Sequence, residues 1–101
     1  MALCLYFRPS FQRSIKHLGY EQKKIVGLIL ETLNVYYSID CNLLEARKIA
    51  PRFFYKQLRR PYYEAGIESN IRVVIRREKE KCIAVLAGSH DQIKQFLSNI
   101  F

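Results

Sequence analysis

The spacing at which apolar residues recur changes twice along this chain, and that double switch limits the folds open to it. From Tyr20 to Tyr37, Ile25, Ile29, Leu33 and Tyr36 share one face beside Val26, Leu30 and Tyr37, with Lys23, Lys24, Glu31 and Asn34 opposite, which predicts an amphipathic helix. Past Pro51 the pattern alternates. Phe53–Leu58 and Tyr62–Ile67 read as short strands around Arg59-Arg60-Pro61, and Ile71–Arg76 and Cys82–Ala87 as a hairpin around Glu78-Lys79-Glu80. Ile93, Phe96, Leu97 and Ile100 then return to helical spacing. At the front, Met1–Phe7 suits a first strand, and Phe11, Ile15 and Leu18 a short helix capped by Ser10 and closed by Gly19. Ile39–Ala50 is ambiguous, at most a turn of helix around Leu44 that Pro51 ends. The order predicts an α+β fold: a small antiparallel-rich sheet of about four strands, two N-terminal helices packed on one face, and a short C-terminal helix, with the helices together on one side.

With 101 residues, half of them hydrophobic, the chain can bury one modest core, so residues 1–101 are expected to form a single domain. No apolar run is long enough to cross a membrane. The opening stretch lacks the basic residues of a secretory signal and meets Arg8-Pro9, so the expected location is cytoplasmic. Cys4, Cys41 and Cys82 are odd in number and have no C-x-x-C spacing, which predicts neither a disulfide framework nor a zinc site but small buried apolar side chains. No metal or other cofactor is expected.

Charge narrows the function classes further. Of the formal +8, residues 47–81 supply most, with eleven Lys/Arg against four Asp/Glu. Phe53, Phe54, Tyr55, Tyr62 and Tyr63 are interleaved there with Arg52, Lys56, Arg59 and Arg60, a mixture that holds phosphate by charge and bases by stacking. A polyanionic partner is the expectation.

Strand parity adds geometry. If Ile71, Val73 and Ile75 face the helices, then Arg72, Val74 and Arg76 face away; with the hairpin tip centred on Lys79, their partners are Leu86, Ala84 and Cys82. The same parity continues through Gly88 to His90, so Arg72 and His90 are expected on one side of the sheet. Ser89 followed by Gln92 is a capping-box pattern that makes His90 the first residue of the terminal helix. A helix start receives anions through its N–H groups, and a histidine there can exchange protons with what it holds. His17, in the basic and polar end of the first helix, has no comparable setting.

The segments resemble, in order and content, the RelE/ParE superfamily of bacterial toxin–antitoxin toxins, closest in style to the RelE-like mRNA interferases. The likeness rests on Lys56-Gln57-Leu58, Tyr62-Tyr63-Glu64-Ala65-Gly66-Ile67, Ile71-Arg72-Val73-Val74-Ile75 and Gly88-Ser89-His90-Asp91, and spans nearly the whole chain. It implies an endoribonuclease that enters the ribosomal A site and cuts mRNA there by attack of a ribose 2′-OH. Arg72 matches the family's third-strand arginine, suited to forked contact with phosphate. His90 matches the position after the last strand that holds an arginine or histidine, suited to general acid work. Lys56 falls where members carry a lysine or histidine facing substrate, and Glu64 is the candidate base. Arg59, Arg60 and Arg76 would hold the RNA backbone, and Tyr62 or Tyr63 would stack a base. Gly66 stands where many relatives have arginine, as natural variation or as an inactivating substitution, and Gly66→Arg is then expected to raise activity.

The implied partners are the ribosome, its mRNA and a cognate antitoxin protein. The apolar stripe Ile93, Phe96, Leu97, Ile100 and Phe101 is either core packing or the place an antitoxin segment covers. Two alternatives use the same features: a ParE-like inhibitor of DNA gyrase, which needs no catalytic acid, and a non-catalytic RNA- or ribosome-binding module.

Overall fold

The computed structural model describes residues 3–101, so the first two residues of the expected opening strand lie outside the described residues. In chain order the elements are β1 (Cys4–Phe7), α1 (Pro9–Lys16), α2 (Tyr20–Ser38), α3 (Leu43–Ile49), β2 (Phe53–Gln57), β3 (Tyr62–Ile67), β4 (Arg72–Glu78), β5 (Lys81–Gly88) and α4 (His90–Ile100). The sheet has five strands, not about four, in the order β1-β5-β4-β3-β2. It is mixed, because β1 runs parallel to β5 while β2 to β5 pair antiparallel.

Alternation along the strands feeds two separate cores. On one side Phe53, Ala65, Val73, Ile75, Cys82, Ala84 and Ala87 pack with Phe11 of α1, Val26, Ile29, Leu33 and Tyr37 of α2, and Ala46 of α3. On the other side Tyr62, Val74 and Val85 pack with Ile93 of α4, backed by Leu58, Ile83, Leu86, Phe96 and Leu97. The terminal helix therefore lies across the sheet from the others, which corrects the expectation of helices on one side only. Both faces of the central strands are apolar enough to be covered, and α2, the longest helix, occupies one of them with α1 and α3.

Local chemistry explains the helix boundaries. Pro9 opens α1 at a position whose N–H is dispensable, and Arg8 rather than Ser10 is the cap residue. The Ser10 hydroxyl instead donates to the Val85 carbonyl at 2.8 Å, and Ser14 Oγ accepts from the Ala87 N–H at 3.0 Å, so α1 is pinned along the end of β5. Gly19 begins α2 instead of closing α1; Gln22 reaches back to accept its N–H at 3.0 Å. The ambiguous stretch contains α3, started by Asn42, whose side chain accepts from the Glu45 N–H. Of the cysteines only Cys82 is buried; Cys4 is exposed and Cys41 half-buried. Cys4 opens β1 at an edge of the sheet, where its side chain has no second layer to enter. Among the described residues no helix is long and apolar enough to cross a membrane.

Candidate functional site

The face shared with α4 carries two rows of side chains running across the strands. In the outer row Phe54 pairs with Gly66, Gly66 with Arg72, and Arg72 with Gly88, which leads through Ser89 to His90. Arg72 thus has a glycine on each neighbouring strand. In the next row Lys56 pairs with Glu64, Glu64 with Val74, and Val74 with Leu86.

The hairpin reaches this register by an unexpected route. Its tip closes on Glu78 and Lys81, so Arg76 faces Ile83 and Arg77 faces Cys82, one residue off the expected pairing. Between Val74 and Ile75 the register shifts again, leaving Val85 without a partner. Val85 and Leu86 both enter the α4 core, and the bulge moves Arg72 and Val74 onto Gly88 and Leu86. Arg72 and His90 lie on one side, and together with Asn70, Ser89 and Asp91 they line a cleft of about 270 Å³.

The start of α4 is held by reciprocal bonds. Ser89 Oγ accepts from the Gln92 N–H at 3.3 Å and Gln92 Oε1 accepts from the Ser89 N–H at 2.8 Å. A Cβ on Gly88 would stand 2.6 Å from Gln92 Oε1, so the glycine lets that side chain close over the turn. His90 is exposed at the mouth of the cleft.

Behind the cleft sits a buried carboxylate. Glu64 is 1 % exposed and accepts a hydrogen bond from Arg72 Nη1 at 2.7 Å, while Lys56 Nζ lies 3.6 Å from its other oxygen. The first contact is mostly shielded from water; the second reaches a lysine that is more than half exposed and counts for less. Arg72 Nε is buried and has no hydrogen-bond partner, while the side chain as a whole is about a quarter exposed and reaches the cleft.

The remaining expected residues separate. Tyr62 is only 6 % exposed, its ring met edge-on by Phe96 and Phe101 of the terminal segment. Arg76 lies over the Tyr62 ring and its Nη1 donates to the phenol oxygen at 3.4 Å. Arg59 stacks on Phe101 with its guanidinium 4.3 Å from the ring centre, and Arg60 is exposed in the β2–β3 turn. Tyr63 is on the opposite face, stacked on Tyr55 with Arg77 above it, because it is odd-numbered in a strand whose even positions face α4. The basic segment is likewise divided: Arg47 donates to the Phe53 carbonyl at 2.9 Å and Arg52 pairs with Glu68 at 3.3 Å, both away from the cleft.

Two residues of this surface, named in the sequence only as part of the aromatic–basic mixture and of the Gly88–Asp91 junction, were not among the expected site residues. Asp91 lines the cleft directly. Phe54 is half-buried with its ring over Gly66, 5.3 Å from the Arg72 guanidinium and 6.0 Å from Lys56 Nζ. A Cβ on residue 66 would lie 2.7 Å from that ring, so Gly66 is the seat of Phe54. The expectation that Gly66→Arg raises activity does not fit this geometry, since any side chain there must first dislodge the ring.

No family model and no curated protein matches the sequence. Among solved structures, the chain is similar to the RelE toxin of the RelB–RelE antitoxin–toxin complex from Methanococcus jannaschii, with a TM-score of 0.64 and 19% identity over 90% of this chain and 96% of that one. It is also similar to a copper-bound mutant toxin from Helicobacter pylori, with a TM-score of 0.53 and 20% identity over 90% of this chain and 98% of that one. At these identities the likeness establishes a RelE-like toxin fold. Among the described residues no group of three or more His, Cys, Asp or Glu is placed to hold a metal ion.

Proposed function

We propose that this chain is the toxin of a toxin–antitoxin pair and a ribosome-dependent endoribonuclease that cuts mRNA. The observation that carries the reading is the convergence of Arg72 and His90 on one cleft at the start of α4. In this reading the scissile phosphate enters that cleft. The ribose 2′-oxygen forms a bond to phosphorus, the bond to the 5′-oxygen breaks, and a 2′,3′-cyclic phosphate is left. Arg72 donates to the non-bridging oxygens as their charge grows, helped by Lys56 and by the backbone N–H groups of the first turn of α4. His90 gives its proton to the departing 5′-oxygen.

The 2′-OH proton goes elsewhere than Glu64. That carboxylate is buried and already engaged by Arg72 and Lys56, so its role is to position Arg72. Asp91 is the carboxylate that faces the cleft and is the better candidate for the base. Arg59 and Arg60 extend the cationic surface along the β2–β3 turn.

The antitoxin partner finds its support in the terminal segment. Ile93 is buried, but Ile100 and Phe101 are 43% and 49% exposed, beside a groove of about 470 Å³ lined by Leu58, Arg59, Lys94, Leu97, Ser98 and Phe101. Its apolar floor and two cations suit an acidic amphipathic segment.

One feature favours a second reading. Glu64 already engages Arg72 and Lys56, the two cations a cleavage transition state would draw on, which leaves the exposed basic and aromatic surface to bind RNA or the ribosome without cutting. Primer extension on an mRNA in a purified translation system, with and without ribosomes, separates the two. Cuts that need ribosomes and vanish in His90→Ala support the nuclease; intact mRNA bound equally by both proteins supports the binding module.

A further inference from the structure

We infer that Phe54 is a base-stacking residue, which receives the nucleobase next to the phosphate held by Arg72. The inference rests on the RNA-cutting reading of the cleft and specifies how single-stranded RNA is seated there.

Phe54 belongs to neither apolar core, although half-buried aromatic rings in this chain, such as Tyr36 and Tyr55, pack onto one. Its strand parity places it on the cleft face, in the same row as Arg72 and Gly88. The ring sits against the bare backbone of Gly66, with Arg72 and Lys56 5.3 and 6.0 Å from its centre. Adjacent strands lie about 5 Å apart, so two strand spacings separate the Phe54 and Arg72 backbones by roughly 10 Å, and their side chains close most of that gap. A ring flanked by cations, beside an arginine that lines the cleft, is the arrangement by which proteins take unpaired nucleotides: stacking on the base, charge on the backbone.

The test uses the full chain and a single-stranded RNA decamer carrying 2-aminopurine on a 2′-deoxyribose, which cannot be cut at that nucleotide. Fluorescence anisotropy reports binding, and quenching of 2-aminopurine reports stacking. The wild type and Phe54→Trp are expected to bind and quench. Phe54→Ala and the volume-keeping Phe54→Leu are expected to lose the quenching and to bind about 5- to 100-fold more weakly. Binding and quenching unchanged in both variants overturn the stacking role while leaving the cationic cleft intact. Where the wild type does not bind the free decamer, the same readings are taken with a 2-aminopurine mRNA in the A site of a programmed ribosome: quenching there that survives both variants overturns the stacking role, and no association with the programmed ribosome overturns the RNA-cutting reading.

Discussion

Arg72 shows how one side chain can be both structural and available. Its Nη1 is committed to the buried Glu64, while the side chain, about a quarter exposed, also lines the cleft that His90 shares. Because Glu64 is so deeply buried, Arg72→Ala would strand a carboxylate and cost about 3–5 kcal/mol, confounding any activity assay. The two carboxylates near the cleft should therefore respond differently to neutralisation. Glu64→Gln is expected to lower stability by about 1–3 kcal/mol by chemical denaturation, through loss of the charge-assisted bond. Asp91→Asn is expected to leave stability within about 0.5 kcal/mol and to slow cleavage about 100-fold or more. Equal stability losses would remove the distinction. At this scale the sequence was legible where local pattern sufficed: Ser89 and Gln92 announce the cap, and His90 follows from it. Glu64 was not, since its environment is built from β2 and β4, both distant along the chain.

At the level of elements, alternation identified β2 to β5 closely, and helical spacing identified α2 and α4. What alternation could not supply was register. The hairpin tip sits one residue from its expected centre, and the bulge at Val85 adds a second shift in the same sense, so Arg72 pairs with Gly88, two residues beyond the expected Leu86, and the parity that puts His90 on its side is kept. The capping pair Asn42 and Glu45 was readable and would have marked α3. The Phe54–Gly66 contact joins two strands and yields a prediction of its own: Gly66→Ala is expected to cost about 1 kcal/mol, and to be neutral or stabilising in a Phe54→Ala background, where no ring is met. Additive effects in that double-mutant cycle would mean the ring moves away freely. For α4, removal of residues 100 and 101 takes Phe101 from the Tyr62 ring and from Arg59. A modest loss of stability, about 1–2 kcal/mol, and weakened antitoxin binding are expected; unchanged affinity by calorimetry would place the antitoxin elsewhere.

On the scale of the whole molecule, the sheet separates two kinds of aromatic chemistry. The α4 side carries the cleft. The α2 side carries a closed cluster, in which the Tyr37 hydroxyl donates to Tyr55 Oη at 2.8 Å and Tyr36 contacts both rings. Burial, reinforced by Cys41, pushes Tyr36 up to about 12, and burial raises Tyr37 and Tyr55 as well. A phenol whose folded-state value exceeds its unfolded value of about 10 adds stability in full below pH 10 and loses it as pH rises through the folded value. The protein is therefore expected to unfold on alkaline titration between about pH 10 and 12, tyrosinate absorbance and far-ultraviolet circular dichroism changing together. Tyrosinate beyond what the exposed Tyr6 and Tyr20 can supply, formed with the circular dichroism intact, would contradict the buried cluster. The net charge of +8 was legible in the sequence, but its distribution over the structure was not, because basic side chains of that segment are spent on contacts such as Arg47 with the Phe53 carbonyl and Arg52 with Glu68. The measurement that bears most directly on the cleft is single-turnover cleavage of ribosome-bound mRNA by the wild type, Arg72→Lys and His90→Ala, with the product ends identified. Ends carrying a 2′,3′-cyclic phosphate, formed about 100-fold or more slowly by each variant, are the predicted result; cleavage at wild-type rates by both variants would place the chemistry outside this cleft.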